Sequence, residues 1–200
     1  MPKHYDREYF DRWYRHPSHR IGSAADLERQ VALAVAMAEA VLGRRLTSAL
    51  DVGAGEGRWQ PVLQRLRPGS RYAGVEPSAW AVSRWGRRRN LRHGDLTTLD
   101  QLGLDGPYDL VVCADVLHYL PTPVLRGGLP HLADQVGGLA YCPLFTLEDQ
   151  IDGDREDFHR RRGSTYRRLF AAAGLHQVGM HGWVGEATAR TLATLEWRAD

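Results

Sequence analysis

Asp51, Gly53, Gly55 and Gly57 fall within the nine residues Ala49-Leu50-Asp51-Val52-Gly53-Ala54-Gly55-Glu56-Gly57. A short apolar run ends in a carboxylate and opens into glycines at alternate positions. Glycine lacks a Cβ, so the backbone can turn sharply there and approach a ligand closely. A Gly-rich turn between a strand and a helix is the nucleotide-binding corner of an open α/β sheet. A plain tight strand–helix turn would not need three glycines and an acidic residue together. The spacing also separates the candidate ligands. A dinucleotide fingerprint reads G-x-G-x-x-G, whereas this one reads G-x-G-x-G. A phosphate-binding P-loop needs a Lys after its last Gly, and the only lysine in the chain is Lys3.

Asp51 narrows the choice further. A pyrophosphate at the turn would meet its charge at close range and be repelled. A ligand with a cationic amine and a sulfonium would be attracted, and S-adenosylmethionine is such a ligand. Glu76 lies 19 residues after Gly57, at the end of the next apolar run. A carboxylate there can accept from both hydroxyls of a ribose. The bland reading of Glu76 is a charge beside the helix that Pro77-Ser78 opens. Asp95, in His93-Gly94-Asp95-Leu96, also reads as a turn aspartate. In Ala114-Asp115-Val116-Leu117-His118, a carboxylate and an imidazole leave the most apolar run of the chain. His118 titrates near neutrality and is the natural candidate for a general base; packing beneath the ligand is its other reading. Asp115 could touch substrate or shape the loop.

The elements that must position these groups alternate from residue 47 onward. Strands are predicted at 48–52, 71–75, 90–93, 108–114 and 138–144, with helices at 58–66, 78–88, 123–135 and 163–173. Two closing strands are predicted near 176–181 and 190–197. Leu110-Val111-Val112-Cys113-Ala114 is uniformly apolar, as a parallel strand buried on both faces must be. The alternation predicts a Rossmann-like α/β fold: a seven-stranded, mostly parallel sheet with helices on both faces. Before it, Tyr5, Tyr9, Phe10, Trp13 and Tyr14 fall on adjacent lines of one helix. Pro17 ends that helix, and Ser23 to Asp26 caps a second whose apolar face runs Leu27, Val31, Ala34, Val35, Ala38, Leu42. Residues 1–46 are therefore expected to form an N-terminal helical cap or lid, and 47–200 the ligand-binding core, in one compact domain. The polar connection 146–163 is long enough to suggest a functional loop.

A net charge of +2, nearly all of its positive side Arg, is too weak to imply nucleic-acid binding. The runs Arg87-Arg88-Arg89 and Arg160-Arg161-Arg162 read best as solvated helix faces or helix ends. Two cysteines, Cys113 and Cys142, each in an apolar run, predict buried thiols in a reducing compartment. No apolar stretch is long enough for a bilayer, and the first residues carry no apolar signal core. Both features predict a cytoplasmic protein without membrane attachment. The nine histidines show no metal-ligand spacing, so no metal is expected. Trp80 could flank a bound ring or pack in the core.

In their order and spacing, these segments resemble the class I S-adenosylmethionine-dependent methyltransferases, over roughly residues 47–197. The resemblance rests on Leu50–Gly57, on Tyr72-Ala73-Gly74-Val75-Glu76-Pro77-Ser78, on Leu91–Leu96, on Tyr108–Leu120, and on Ala171–Leu175 before the sixth strand. It implies S-adenosyl-L-methionine as cofactor. Asp51, Gly53, Ala54, Gly55, Glu76, Pro77 and Ala114 would surround it. Asp95 would meet the adenine amino group, with Gly94 and Leu96 lining the ring and Tyr14 reaching in from the N-terminal helix. His118 and Asp115 are the candidate catalytic residues. Several subclass signals are absent: no Asn-Pro-Pro-Tyr-like tetrapeptide, no Pro-Cys nucleophile, no paired acidic hairpin, and no Asp-Asn partner for Mg²⁺ beside Asp115. What remains is the branch that methylates small molecules at O or N, as monomer or homodimer. An RNA or protein methyltransferase, and a non-catalytic cofactor-binding regulatory subunit, are the competing readings.

Overall fold

The computed structural model describes residues 4–16, 22–150 and 154–192. Arg7–Phe10 (α1) begins after Asp6, whose side chain caps the Tyr9 N–H, and runs on as a wider π-helical turn over Asp11–Arg15. Ala24–Leu42 (α2) opens with a full capping box between Ser23 and Asp26 and stops at Gly43 in the left-handed conformation. Then come Ser48–Val52 (β1), Trp59–Leu66 (α3), Arg71–Glu76 (β2), Ala79–Arg89 (α4), Leu91–His93 (β3), Tyr108–Val112 (β4), Thr122–Asp134 (α5) and Val136–Tyr141 (β5). Gly163–Ala172 (α6), Leu175–Gly179 (β6), Gly182–Gly185 (β7) and Glu186–Ala189 (α7) complete it.

The strands join in one sheet ordered β3-β2-β1-β4-β5-β7-β6. All neighbours are parallel except β7, which is antiparallel to both β5 and β6. β1 and β4 are buried along their whole length, because both faces of the sheet are covered. Side chains alternate between two cores. Val111 faces α5 and α6, with Leu125, Leu129 and Phe170, whereas Leu110 and Val112 face α2 and α3, with Val31, Ala34 and Leu63. Within the expected N-terminal unit, α2 thus belongs to a helix layer of the sheet, while the residues before it reach the carboxyl ends of the strands. Of the arginine runs, Arg89 turns back to the Glu56 carbonyl and Arg161 to the Leu120 carbonyl.

The seven-stranded, mostly parallel fold is as the sequence predicts, but its last strand is not where expected. β7 lies at 182–185, joined to β6 by a two-residue turn at Met180 and His181, both with positive φ (45° and 66°). That is the backbone of a tight hairpin, written without the Gly or Asn that would announce it. Trp183 anchors the hairpin by stacking on Phe170, 4.0 Å between ring centres. Residues 186–189 are helical, and most of the expected strand 190–197 lies outside the described residues.

Candidate functional site

The chain crosses from β3 on one side of the sheet to β4 on the other, so the loops after β1 and β4 part and leave a crevice between them. A cavity of about 440 Å³ occupies that crevice, bounded by the ends of β1, β2 and β4 and roofed by residues 5–14.

Its floor is the glycine turn. Gly53, Gly55 and Gly57 all have positive φ (74°, 56° and 68°), which L side chains rarely adopt. Gly53 and Ala54 donate their N–H groups to the Val75 carbonyl at 2.8 and 3.1 Å, tying the turn to β2. A Cβ at Gly55 would come within 2.6 Å of the Tyr14 hydroxyl. The turn is therefore shaped as a bare-backbone cradle.

Two carboxylates stand at the strand ends. Glu76 Oε2 accepts from the Gly55 N–H at 2.7 Å, and Oε1 from the Ser78 N–H at 2.9 Å. Burial raises its carboxyl above the usual range, against the pull of those two bonds. Asp51 Oδ2 accepts from the Tyr72 hydroxyl at 2.7 Å. Burial lifts Asp51 to about 7; the Tyr72 bond lowers it and the Glu76 charge raises it further.

Past β3, Asp95 lines the cavity while its Oδ1 accepts from the Thr97 N–H and hydroxyl, so it is a turn aspartate and a wall residue at once. Leu96 lines the cavity beside it, as do Pro77, Ala54 and Ala114. Gly94, next to them, has a packing reason to be glycine. A Cβ there would meet Leu102 and Thr98 at 2.9 Å, so its smallness serves loop packing.

Asp115 opens onto the cavity in a left-handed conformation (φ 58°). Its N–H is held by the Pro143 carbonyl at 2.9 Å; the residue is exposed to the cavity, and partial loss of water around the carboxyl raises it to about 6. His118 lies behind this wall and not among the cavity-lining residues, which speaks against the general-base reading and leaves the packing one. The ring is 1% exposed and packs against Tyr119, Phe145 and Phe158. Its Nδ1 accepts from the Phe145 N–H at 3.3 Å, so that lone pair already serves the fold. Its neighbours Val116, Tyr119 and Leu120 reach the cavity in its place.

Tyr5, Tyr9, Phe10, Trp13 and Tyr14 form the roof. Three contacts fasten it: the Tyr5 carbonyl accepts from the Ser78 hydroxyl at 2.5 Å, Phe10 stacks on Trp80 at 5.1 Å, and Arg15 pairs with Glu56 of the glycine turn. Trp80 therefore braces the roof. Desolvation raises the Tyr9 and Tyr14 hydroxyls well above their usual range, so both are neutral donors.

Arg58 escaped the sequence reading. It stands at the start of α3, over the Tyr14 ring (5.4 Å), and is the only cationic side chain among the described residues that line the cavity. Its position directly after Gly57, at the mouth of the glycine turn, was the available signal. Trp59 and Gln30 also line it. Cys113 and Cys142 are buried free thiols whose ionisation burial opposes. Among the described residues no three His, Cys, Asp or Glu side chains converge as a metal-ligand set, and no helix is long and apolar enough to cross a membrane.

Residues 50–136 match the family model of a methyltransferase domain. No curated protein matches the chain. Among solved structures, the chain is similar to the N,N-8-amino-8-demethyl-D-riboflavin dimethyltransferase RosA of Streptomyces davawensis (16% identity, 80% of this chain and 54% of that one, TM-score 0.60). It is also similar to magnesium protoporphyrin IX methyltransferase (ChlM) of Synechocystis PCC 6803 with bound SAH (20%, 86% and 86%, TM-score 0.58). Human N-acetylserotonin methyltransferase in complex with SAM is a third (16%, 79% and 51%, TM-score 0.55). At these identities the likeness establishes the fold. The chain spans about half the length of the first and third of these proteins.

Proposed function

We propose, for a chain that carries a class I S-adenosylmethionine-dependent methyltransferase domain, that it transfers a methyl group from S-adenosylmethionine to an oxygen or nitrogen atom of a small molecule. The observation that carries this reading is the pairing of the bare glycine cradle with Glu76 at the sheet's switch point. Each Glu76 oxygen accepts one backbone N–H and keeps a lone pair for a ribose hydroxyl. Asp95 keeps Oδ2 for the adenine amino group, with Leu96 and Pro77 as apolar walls. Arg58 receives the methionine carboxylate, and Asp51 faces the cationic end.

When bound, S-adenosylmethionine supplies an activated methyl group on a sulfonium, so little covalent work is left to the protein. Its residues contribute by positioning and by excluding water. Gly53, Ala54, Gly55 and Ala114 set the depth of the ligand. The roof, Tyr14 above all, closes the mouth and acts as a lid. Asp115 faces the acceptor. A roofed cavity of this size favours a small acceptor over an RNA or protein chain. The cytoplasm is the compartment proposed, consistent with two free thiols, and the chain is proposed to act as a monomer or homodimer.

Titration calorimetry with S-adenosylhomocysteine tests the reading. Binding in the range of roughly 1 μM to 1 mM usual for enzyme ligands is expected. No heat at millimolar ligand would overturn it.

A further inference from the structure

The cavity is acidic beyond what the methyl donor needs. Among the described residues five carboxylates line it, Asp26, Asp51, Glu76, Asp95 and Asp115, against the single cation Arg58. Four of the five are already engaged. Asp26 takes Ser23 and Arg29, Asp51 takes Tyr72, Glu76 takes two backbone N–H groups, and Asp95 takes Thr97. Asp115 alone has no side-chain hydrogen bond among the described residues. The Tyr119 hydroxyl, four residues along the chain, donates to the Asp154 carbonyl at 2.8 Å. The same cavity wall carries apolar and aromatic side chains, Trp59, Val116, Tyr119 and Leu120 among them.

We propose that the methyl acceptor is an amine carried on an apolar or aromatic body, and that Asp115 is the residue that receives it. This rests on the methyltransferase reading above and narrows its acceptor to nitrogen. Charge selects it first. An anionic acceptor would meet Asp115 with no second cation among the described lining residues to offset it, whereas an ammonium group is drawn in. Proton transfer selects it again. Burial raises the pKa of a phenol and of a carboxyl alike, so the gap between them stays wide. Burial lowers the pKa of an ammonium while raising that of a carboxyl, so those two converge. Asp115 is on that course already, its carboxyl lifted to about 6.

The balance closes without another reactant. The entering ammonium gives one proton to the Asp115 carboxylate and becomes a neutral amine. Its nitrogen lone pair forms the new N–C bond as the C–S bond breaks and its electron pair stays on sulfur. The product is a methylated ammonium, and the protonated Asp115 returns its proton to water. Arg58, engaged with the donor's carboxylate, is not needed by the acceptor.

The test uses the whole chain in two titrations. S-adenosylhomocysteine uptake is measured first, and its failure removes the methyltransferase reading itself. Protein saturated with S-adenosylhomocysteine is then titrated with three probes of similar shape: phenethylamine, phenethyl alcohol and phenylpropanoate. Phenethylamine should bind about tenfold or more tightly than either of the others, a difference of about 1.4 kcal/mol. Asp115→Asn should bring the three within about threefold of one another while leaving S-adenosylhomocysteine uptake near wild type, since about 0.6 kcal/mol is then the most that separates them. Asn tolerates the left-handed backbone at this position, so the variant should fold. Should it not, the wild-type ranking still decides. Equal or tighter binding of phenylpropanoate, no binding of phenethylamine, or an amine preference that survives Asp115→Asn would overturn the proposal.

Discussion

The ends of β2 and β4 flank β1 on either side and face one cavity, yet they treat their carboxylates differently. Glu76, at the end of β2, is gripped by two backbone N–H groups, and the glycine turn it touches is itself pinned to β2. Asp115, beyond β4, is placed by its backbone alone and its carboxylate is left open. A group held that firmly is organised before any ligand arrives, which suits a ligand that never changes. An open carboxylate on a loop suits a ligand that differs from one enzyme to the next, as the many chemistries of one fold require. Variants can break this contrast at either end.

The largest effect is expected at the cradle. Gly55→Val puts a branched side chain at φ 56°, where its Cβ meets the Tyr14 hydroxyl. S-adenosylhomocysteine affinity should fall more than about a hundredfold, or about 3 kcal/mol, with the far-ultraviolet circular dichroism of the sheet retained. Calorimetry showing under about fivefold loss, or about 1 kcal/mol, would mean that no ligand comes near this turn.

Glu76→Gln comes next. It keeps the acceptor for one backbone N–H but removes the charge and sets an amide NH₂ against the other. Hydrogen bonds to a charged group contribute about 1.5–3 kcal/mol, so an affinity loss of about ten- to a hundredfold is expected by calorimetry. The corresponding change at Asp115 should leave this affinity near wild type, and a comparable loss from both would erase the contrast between the two strand ends.

The sequence announced the gripped half far better than the open one. The run Leu50–Gly57 and the carboxylate at Glu76 are legible because glycine and acid at fixed spacing have few other uses. Gly94 is harder to read because glycine serves packing as well as ligands, and the packing against Leu102 and Thr98 comes from outside its own motif. His118 stayed between two readings because one turn of 3₁₀ helix over Leu117–Tyr119 sets it behind the wall, and no local pattern encodes that rotation. Arg58 was missed because its role comes from Tyr14, more than forty residues earlier in the chain. The β6–β7 hairpin was displaced because Met180-His181 adopts positive φ without turn residues.

Asp51 is expected to give a smaller, pH-dependent effect. Its folded pKa of about 7 lies above the roughly 3.9 of an unfolded aspartate. The folded state thus binds the extra proton between those values, and the stability this confers is full below about pH 4 and lost as pH rises through about 7. Asp51→Asn should raise the melting temperature at pH 8 by about 2–4 °C and by nothing at pH 4. A cationic ligand needs the ionised form, so S-adenosylmethionine affinity of the wild type should fall below pH 7, by at most about tenfold per unit for this one group. Tyr72, Tyr14 and Cys113, which face Asp51, stay neutral there; Glu76, also raised, steepens the fall at lower pH. An affinity flat from pH 5.5 to 8, a range of about 2.5 units around the Asp51 value, would show that Asp51 does not face the cation.

Arg15→Ala should do least to equilibrium and most to timing. Arg15 pairs with Glu56 of the gripped turn, but its side chain is 43% exposed, and such a pair contributes about 0–1 kcal/mol. The Ser78–Tyr5 hydrogen bond and the Phe10–Trp80 stack remain to hold the roof. Affinity for S-adenosylhomocysteine should therefore change by no more than about threefold, within that energy. A roof that opens to admit ligand predicts a further sign. Loosening it speeds entry and exit together, so association and dissociation rates should both rise in stopped-flow traces while their ratio holds. A roof residue that only touches the ligand would raise the dissociation rate alone. Hydrogen exchange supplies the second readout: amides of residues 5–16 should be protected by S-adenosylhomocysteine in the wild type and less so in Arg15→Ala. Equal protection with and without ligand, together with unchanged rates in the variant, would make the roof a fixed wall and assign ligand entry to the Asp115 side of the cavity.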